Sequence, residues 1–178
     1  MWLFTLGNEV KTVCISGGFD PLHVGHLRMI IEASVLAQGG RLVVILNSDE
    51  WLMQKKGYVF MPFEERKEIL MGIRGVSEVT SVDDSDNTVC EALIRINPKG
   101  FLSRSDRYVF ANGGDRKEGN IPEAQVCNDL NIEMIYNVGG GKVQSSSKLV
   151  YAMKTPRLVS FMFNERGEEN EWENEGGQ

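Results

Sequence analysis

The only two histidines of this 178-residue chain, His23 and His26, stand three residues apart in one glycine-containing segment. An apolar β-branched run and a Gly-Gly pair precede this segment, and a run with helical periodicity follows it. The segment is therefore predicted to link a strand to a helix, with both imidazoles near the helix N-terminus. The N–H groups and dipole of a helix N-terminus attract anions, and imidazoles donate hydrogen bonds. We interpret the pair as part of a phosphate site.

A histidine pair of this spacing is also compatible with a structural cap, and its neighbours decide between the two interpretations. Gly17 and Gly18 permit a tight turn and a close backbone approach to a ligand. Pro21 fixes the direction of the chain, and Gly25 keeps the backbone open beside a ligand. These residues favour the functional interpretation.

Two more groups later in the chain could contact phosphate. Lys55 and Lys56 add mobile positive charge. Three consecutive serines, Ser145, Ser146 and Ser147, stand at the start of the last predicted helix and offer hydroxyl and amide donors. Lysines in a loop are usually only solvated, and a serine run is often a simple cap. Their common position at one edge of a sheet favours a polyphosphate site.

The elements that position these residues alternate between strand and helix. Strands are predicted over 10–16, 41–47, 77–82, 107–111 and 132–136, and helices over 25–38, 62–75, 88–96, 122–130 and 145–153. This order predicts a single α/β domain with a Rossmann-like, doubly wound, five-stranded parallel sheet. Ligands of such sheets bind beyond the carboxyl ends of the strands, where the residues above fall. The helix over 25–38 is expected to carry Leu27, Ile30, Ile31 and Val35 on its core-facing side.

Composition narrows the class of protein. The net charge is −6, but residues 165–178 hold six glutamates and one arginine, so about −5 belongs to this end and about −1 to the remainder. The acidic end is predicted to be disordered. No basic stripe indicates a nucleic-acid partner, and no apolar stretch of about 20 residues indicates a membrane span. Three isolated cysteines are typical of reduced thiols, and we expect a cytoplasmic protein.

The chemistry most compatible with these residues is phosphoryl-type transfer without a covalent enzyme intermediate. No nucleophile elbow and no P-loop lysine pattern occurs. In such transfers the protein mainly positions the reactants and stabilises charge. The attacking group would be a phosphate oxygen of the acceptor, which is already anionic and requires no strong base.

Residues 17–26 resemble the (T/G)-x-F-D-x-x-H-x-G-H signature of the cytidylyltransferase-like nucleotidylyltransferases, and the resemblance extends over most of residues 11–153. It implies transfer of a nucleoside monophosphate from an NTP to a small phosphorylated acceptor, with release of pyrophosphate. It also implies Mg²⁺ held mainly by the NTP phosphates, with no dedicated protein ligands, and a homodimer. We accordingly predict a nucleotidylyltransferase domain over residues 1–155 and a C-terminal extension over 156–178. Residues 1–9 and an insertion over 100–106 have no assigned role.

The resemblance also implies roles for individual residues. His23 and His26 would stabilise the pentavalent α-phosphate, and Lys55 would assist as a catalytic lysine that contacts the acceptor phosphate. Asp49 and Lys56 would join Lys55 in the acceptor site. The nucleotide would be bound by residues matching several family segments: Gly18, Phe19, Asp20, Gly25, Arg74, Gly114, Asp115, Ser145, Ser146 and Ser147.

The branch of the family stays open. The chain is similar to glycerol-phosphate cytidylyltransferases around Asp49, Lys55 and Arg74. Those enzymes carry an R-T-x-G-I-S-T segment, and the matching residues of this chain, 140–146, lack the arginine. Lys142 could supply a positive charge in its place, without the planar fork of arginine. Residues 47–49 and 113–115 resemble heptose-1-phosphate adenylyltransferases, which carry a lysine where this chain has Asn112. We predict a sugar-phosphate or polyol-phosphate acceptor, with ATP slightly favoured over CTP. The alternatives are a coenzyme-precursor adenylyltransferase and a catalytically inactive nucleotide-binding sensor or scaffold.

Overall fold

The structure, a computed structural model, describes residues 10–98, 106–114, 116, 119, 121–141 and 144–154. Several predictions concern residues outside this set. They fall on residues 1–9, on nearly all of the insertion over 100–106, on Asp115 and Lys142, and on the C-terminal extension with its acidic end. The division between a domain over 1–155 and an extension therefore stays a prediction.

Five parallel strands form one sheet in the order β3-β2-β1-β4-β5. Their bounds are β1 Val10–Gly17, β2 Arg41–Leu46, β3 Glu78–Ser81, β4 Asp106–Ala111 and β5 Glu133–Ile135. The predicted single α/β domain with a Rossmann-like five-stranded parallel sheet is confirmed, and each predicted strand overlaps an observed one.

Both faces of the sheet are buried, which explains the apolar character of its central strands. Along β1, Val13 and Ile15 face one hydrophobic cluster, while Cys14 faces a second cluster on the other side. Along β2, Val44 belongs to the first cluster and Val43 to the second. Side chains alternate across a strand, so a strand covered on both faces must be apolar at every position.

Six helices in the described residues connect and cover the strands. Their bounds are α1 Val24–Leu36, α2 Asp49–Lys56, α3 Phe63–Met71, α4 Cys90–Ile96, α5 Ala124–Asp129 and α6 Ser146–Lys154. Five of them overlap predicted helices. In the described residues no helix is both long and apolar enough to cross a membrane.

Helix α2 was not predicted, and Lys55 and Lys56 lie in its last turn rather than in a loop. Its end signals are nevertheless present in the sequence. The Ser48 side chain accepts a hydrogen bond from the Trp51 N–H at the N-terminus, and Gly57 ends the helix at φ 77°. Only Leu52 is buried along its eight residues, so the helix has no apolar periodicity that would reveal it.

The buried face of α1 differs from the predicted one. Ile30 is fully buried as expected, but Leu27, Ile31 and Val35 are exposed. The core side is instead formed by Ile30 and Ala33, with Met29 and Leu36 packed against the same cluster. The helix carries two apolar stripes, and the stripe with the small Ala33 side chain packs against β1 and β2.

The three cysteines are free thiols, of which Cys14 and Cys127 are buried. Burial is the main cause that raises the pKa of each of these two thiols to about 12, so neither is a thiolate at neutral pH.

The crevice of this sheet lies between β1 and β4. The chain leaves β1 for β2 on one side and reaches β4 and β5 on the other, so the strand order reverses between these two neighbours. In open parallel sheets, ligands bind at such a switch point beyond the carboxyl ends of the strands. The loops that follow β1, β4 and β5 border this position.

Candidate active site

The loop from β1 to α1 is held by buried contacts. The carboxylate of Asp20 is fully buried and accepts hydrogen bonds from the N–H groups of Phe60 and Met61, each at 2.7 Å. Phe19 adopts φ 49°, which is unfavourable for a bulky side chain, and its buried ring lies 5.0 Å from the ring of His26. Both residues were predicted to bind the nucleotide, and that stays a prediction. The structure buries the side chains of Phe19 and Asp20 beneath the loop, where they support the imidazoles, so only their backbone is left to contact a ligand.

His23 and His26 form a stacked pair, with ring centroids 3.8 Å apart and an interplanar angle of 16°. His23 is the residue preceding α1, and its Nδ1 accepts a hydrogen bond of 3.1 Å from the Gly25 N–H. In the neutral imidazole this bond leaves the proton on Nε2, which is then a donor. The two rings that the sequence places three residues apart are thus adjacent in space.

Gly25 is needed for this arrangement for a steric reason. A Cβ at this position would lie 3.0 Å from Cε1 and 3.1 Å from Nδ1 of His23. A side chain would therefore push against the ring that the Gly25 N–H holds. The role of Gly25 is to leave space for His23 and to fix its orientation.

Both imidazoles are neutral at physiological pH. Burial lowers the pKa of His26 from 6.5 to about 3, and the nearby His23 and Lys56 act in the same direction. Burial also lowers the pKa of His23, again with a contribution from the Lys56 ammonium. A neutral imidazole carries no charge and offers one N–H donor to a ligand. Nδ1 of His26 is buried and has no hydrogen-bond partner in the described residues.

The imidazole pair opens onto a cleft of about 300 Å³ at the carboxyl edge of the sheet, a volume in the range of small-molecule sites. The lining comes from the ends of β1 and β4, from α1, α2 and α6, and from the loop after β5. The lining residues are Ser16, His23, Gly25, His26, Met29, Lys56, Ala111, Asn112, Gly113, Gly114, Arg116, Val138, Gly139, Gly140, Gly141, Gln144, Ser145, Ser146 and Ser147.

The start of α6 reaches this cleft beside the imidazoles. The Ser145 hydroxyl accepts from the Lys148 N–H, and the buried Ser146 hydroxyl donates to the Pro21 carbonyl at 3.1 Å. This last bond ties α6 to the loop that carries the histidines. Ser147 is exposed at the cleft. The three predicted serines are therefore brought to the site, two of them with their hydroxyls already engaged.

The loop after β5 packs closely on α1. Gly139 has φ 88°, and a Cβ there would lie 2.8 Å from the backbone N of Met29. Its N–H donates to the Glu32 carboxylate at 2.7 Å. Only glycine combines this backbone conformation with such a close approach. The glycine-rich stretch is therefore a wall of the cleft rather than only a flexible connection.

The two predicted lysines behave differently. Lys56 lines the cleft, where its ammonium donates to the Asp20 carbonyl at 2.8 Å. Lys55 is exposed and lies over the Trp51 ring, 5.2 Å from its centroid, outside the cleft lining. Consecutive helical residues point about 100° apart, so only one of the two can face the site. The structure does not bring Lys55 to the cleft.

Asp49 and Arg74 are also placed away from the cleft. Asp49 pairs with the fully buried guanidinium of Arg66 and accepts from the Phe63 N–H. Arg66 also donates to the carbonyls of Gly18 and Asn47, so this pair braces the ends of β1 and β2. Arg74 is exposed ahead of the first residue of β3, at the opposite edge of the sheet. The described residues do not bring Asp49 or Arg74 to the cleft, and their predicted contacts with acceptor and nucleotide stay predictions.

Gly18 and Gly114 show a similar contrast. Gly18 does not line the cleft. It packs against Leu52, which a Cβ at Gly18 would approach to 2.7 Å, and its carbonyl accepts a hydrogen bond from Arg66. Gly114, with φ 66°, does line the cleft. Asp115, the remaining predicted nucleotide-binding residue, lies outside the described residues.

Sequence reasoning missed one cation in the cleft. Arg116 lines it and donates from Nη1 to the Ser16 hydroxyl at 3.2 Å and to Oδ1 of Asn112 at 3.3 Å. Its position directly after the Gly-Gly-Asp segment at the end of β4 was an available signal.

The cleft offers no carboxylate ligand for a metal ion in the part of the chain that the structure describes. None of the described lining residues is acidic, and no group of three or more His, Cys, Asp or Glu that could hold a metal occurs there. Mg²⁺ prefers oxygen ligands and retains water, and it binds readily through substrate phosphates. A protein-held magnesium centre does not fit these residues, whereas an ion carried by an NTP would need none.

The fold and this site define a Rossmann-like protein with an imidazole pair at the switch point, and comparison with known proteins gives the family. The cytidylyltransferase-like family model matches residues 14–155, so the chain belongs to this family. The resemblance stated from residues 17–26 is confirmed.

Among its relatives, an FAD synthase of Thermococcus kodakarensis is 46% identical over 97 residues, covering 54% of this chain and 63% of that protein. The glycerol-3-phosphate cytidylyltransferase of Bacillus subtilis is 41% identical over 70 residues, covering 39% and 53%. The bifunctional protein HldE of Blochmanniella floridana is 33% identical over 123 residues, covering 68% of this chain but 25% of that protein. The matches thus span less than two thirds of these relatives.

A lipopolysaccharide core biosynthesis protein from Thermoplasma volcanium shares the fold, with a TM-score of 0.53 and 20% identity over 71% of this chain and 94% of that one. At this level of identity, the likeness concerns the fold alone.

Proposed function

We propose that this protein is a nucleotidylyltransferase that transfers AMP or CMP from an NTP to a small phosphorylated acceptor. The observation that carries this proposal is the stacked, neutral His23–His26 pair at the N-terminus of α1, in one cleft with the start of α6. Donors at two helix N-termini suit a polyphosphate, and neutral imidazoles can follow charge that develops during transfer.

The reaction needs no covalent intermediate and no proton acceptor. An anionic oxygen of the acceptor phosphate forms a bond to the α-phosphorus, and the bond from that phosphorus to the bridging oxygen breaks. The electron pair leaves with pyrophosphate. His23 and His26 donate N–H groups to oxygens whose negative charge increases, and Lys56 adds a cation beside them. Mg²⁺ is proposed as the counter-ion of the NTP phosphates, and no step is assigned to it.

For the acceptor, we retain a sugar phosphate or polyol phosphate, with ATP slightly favoured over CTP. The similarity to a glycerol-3-phosphate cytidylyltransferase supports a polyol phosphate. The similarity to FAD synthases supports a second candidate, a coenzyme-precursor adenylyltransferase, because FAD joins AMP to the phosphate of FMN. Both candidates use the same attack by a phosphate oxygen.

The deciding experiment is a pyrophosphate-release screen with Mg²⁺ that crosses ATP and CTP with glycerol 3-phosphate, sugar 1-phosphates and FMN. The matched control is the double variant His23→Ala/His26→Ala, and mass spectrometry identifies the product. We expect one combination of nucleotide and acceptor to release pyrophosphate at least about 10²-fold faster with the wild type than with the double variant. If the protein binds an NTP but no combination releases pyrophosphate, the inactive sensor or scaffold is favoured. If it binds no NTP, both the enzyme and the sensor are refuted.

We also retain the homodimer as a proposal. Its support is an exposed apolar stripe along α1, formed by Val24, Leu27, Ile31 and Val35. Light scattering coupled to size-exclusion chromatography decides between a dimer and a monomer.

A further inference from the structure

Arg116 is a charged side chain of the cleft that the reaction as described above leaves without a role. Its guanidinium bonds to two neutral acceptors, the Ser16 hydroxyl and Oδ1 of Asn112, both through Nη1. No carboxylate in the described residues forms an ion pair with it. A guanidinium has five N–H donors in a planar fork that matches phosphate. Nη2 and Nε form no hydrogen bond with the residues that the structure describes.

The partners of Arg116 are held firmly, so its position is defined. Asn112 is buried, and its Nδ2 donates to the Phe110 carbonyl at 3.1 Å. The backbone of Asn112 continues the ladder, with its N–H donating to the Ile135 carbonyl and its carbonyl accepting from the Val138 N–H. Ser16 belongs to β1. The guanidinium therefore spans the junction of β1 and β4, which is the switch point of the sheet.

Arg116 and the imidazoles approach this point from different sides. Cys14 pairs in register with Phe110, and both belong to the second hydrophobic cluster. Two residues further along each strand, Ser16 and Asn112 point to that same side by strand alternation. Helix α1, which carries the imidazoles, packs with Ile30 on the opposite face.

The other cation of the described cleft is Lys56, which the family resemblance assigned to the acceptor. We propose it for the triphosphate instead, because it lies with the imidazoles. Its charge lowers the pKa of both His23 and His26, and its ammonium bonds to the loop that carries them. The start of α6 is tied to the same loop through Ser146 and Pro21. The donors suited to a triphosphate are thus collected on one side of the cleft, and Arg116 lies on the other.

In-line transfer requires the nucleophile and the leaving group on opposite sides of the α-phosphorus. Resting on the proposed function, we propose that Arg116 binds the phosphate group of the acceptor, opposite the side that holds the triphosphate. Arg116 offsets the repulsion between the acceptor phosphate and the triphosphate, and its fork orients the attacking oxygen. It is a substrate-binding residue, and Ser16 and Asn112 are the residues that position it.

The test separates the two phosphate sites by using inorganic phosphate as the probe for one and α,β-methylene ATP and CTP as probes for the other. These analogues cannot undergo transfer at the α-phosphorus. Calorimetry with Mg²⁺ measures analogue affinity, and ³¹P NMR titration measures phosphate affinity with and without the analogue. Arg116→Gln removes the charge, Arg116→Lys keeps the charge without the fork, and Arg95→Gln is the matched control on the distant helix α4.

We expect Arg116→Gln to weaken phosphate binding by about tenfold or more, since charge-assisted hydrogen bonds are lost, while analogue affinity changes by less than about threefold. Arg116→Lys should fall between Arg116→Gln and the wild type, and Arg95→Gln should match the wild type. Melting temperatures check that Arg116 is not needed merely for folding. A mild variant, Ser16→Ala, keeps the charge and should weaken phosphate binding only a few-fold, by about the value of one neutral hydrogen bond.

Three outcomes overturn the proposal: unchanged phosphate affinity in Arg116→Gln, a tenfold loss of analogue affinity with phosphate binding intact, or a wild-type protein that does not bind phosphate. If the wild type binds neither analogue, the proposed function fails. The phosphate titration of the free protein then still decides whether Arg116 binds a phosphate group.

Discussion

The low pKa of His26 makes the stability of the protein depend on pH, and replacing His26 should reduce that dependence by a definite amount. The pKa is about 3 in the folded protein and 6.5 at its usual value. Between these limits the unfolded chain binds more protons than the folded protein does. The free energy of unfolding therefore retains the full His26 contribution above pH 6.5 and loses it as the pH falls.

The magnitude follows from the size of the shift. Each pH unit within the window changes the free energy of unfolding by about 1.4 kcal/mol for one such group. At about pH 5, which is about 1.5 units below the usual pKa, the loss is about 2 kcal/mol. This is a large fraction of the 5–15 kcal/mol typical of a folded domain, and it is measurable.

Urea unfolding at pH 7.5 and pH 5 of the wild type and of His26→Asn, which does not titrate, measures this effect. Groups that do not interact with His26 cancel in the difference between the two proteins, and a changed stability of the variant at pH 7.5 cancels as well. We expect the wild type to lose about 2 kcal/mol more than the variant between the two pH values.

His23→Asn is the comparison variant, because the His23 ring is less buried than the His26 ring and its pKa is lowered less. We expect it to reduce the pH dependence of stability by less than His26→Asn does. The same pH dependence in the wild type and in His26→Asn would refute the reasoning. It would mean that His26 titrates normally in the folded protein and that the buried, neutral pair is wrong.

Further predictions concern the site and its support. His23→Ala should lower kcat by roughly 10²–10³ with a much smaller loss of NTP affinity, because the imidazole acts on the transition state; equal losses in kinetics and calorimetry would contradict this. Gly25→Ala should lower kcat about tenfold or more with little change in Tm, because its Cβ displaces the His23 ring, and a wild-type rate would speak against that orientation. Arg66→Met should destabilise the protein by about 2–3 kcal/mol in urea unfolding, because the partly exposed Asp49 carboxylate and three backbone carbonyls lose their donor; a loss below about 1 kcal/mol would exclude a bracing role. Lys56→Ala should weaken NTP binding in calorimetry about tenfold or more and far more than Lys55→Ala does; the reverse order would place the wrong lysine in the cleft.

The strands and the histidine loop could be predicted because their signals are local. Continuous apolar runs such as residues 41–47 follow from a strand buried on both faces, whatever it packs against. The loop with His23 and His26 is marked by glycines, a proline and the start of a helical pattern within a few residues. Strand–helix alternation then leaves few topologies, since parallel crossovers are right-handed.

Helix α1 shows where local signals end. Leu27, Ile31 and Val35 form as good an apolar stripe as the one that is buried, and the pattern alone favoured them. The buried side instead carries Ile30 and the small Ala33, and only the packing of the helix on the sheet distinguishes the two stripes. In the same way, helical geometry directs Lys56 into the cleft and Lys55 over Trp51.

Asp20 and Asp49 show the same limit for the site. Motif resemblance marks both as ligand-binding, but their carboxylates are used by the Phe60 and Met61 N–H groups and by Arg66. A carboxylate that satisfies buried donors is costly to redirect to a ligand. Which polar residues stay free for substrate depends on every long-range hydrogen bond in the fold.

By itself, the sequence determined the parallel α/β fold and the position of the imidazole pair at the end of β1, and it predicted a polyphosphate site there. These follow from residue types and from spacings of a few positions. Only the tertiary structure decided that the two rings stack and are neutral, that Lys56 rather than Lys55 reaches them, and that Arg116 enters from β4. The physical reason is that burial, charge and hydrogen-bond satisfaction depend on contacts between residues far apart in the chain, such as Ser16 and Arg116, which are 100 positions apart.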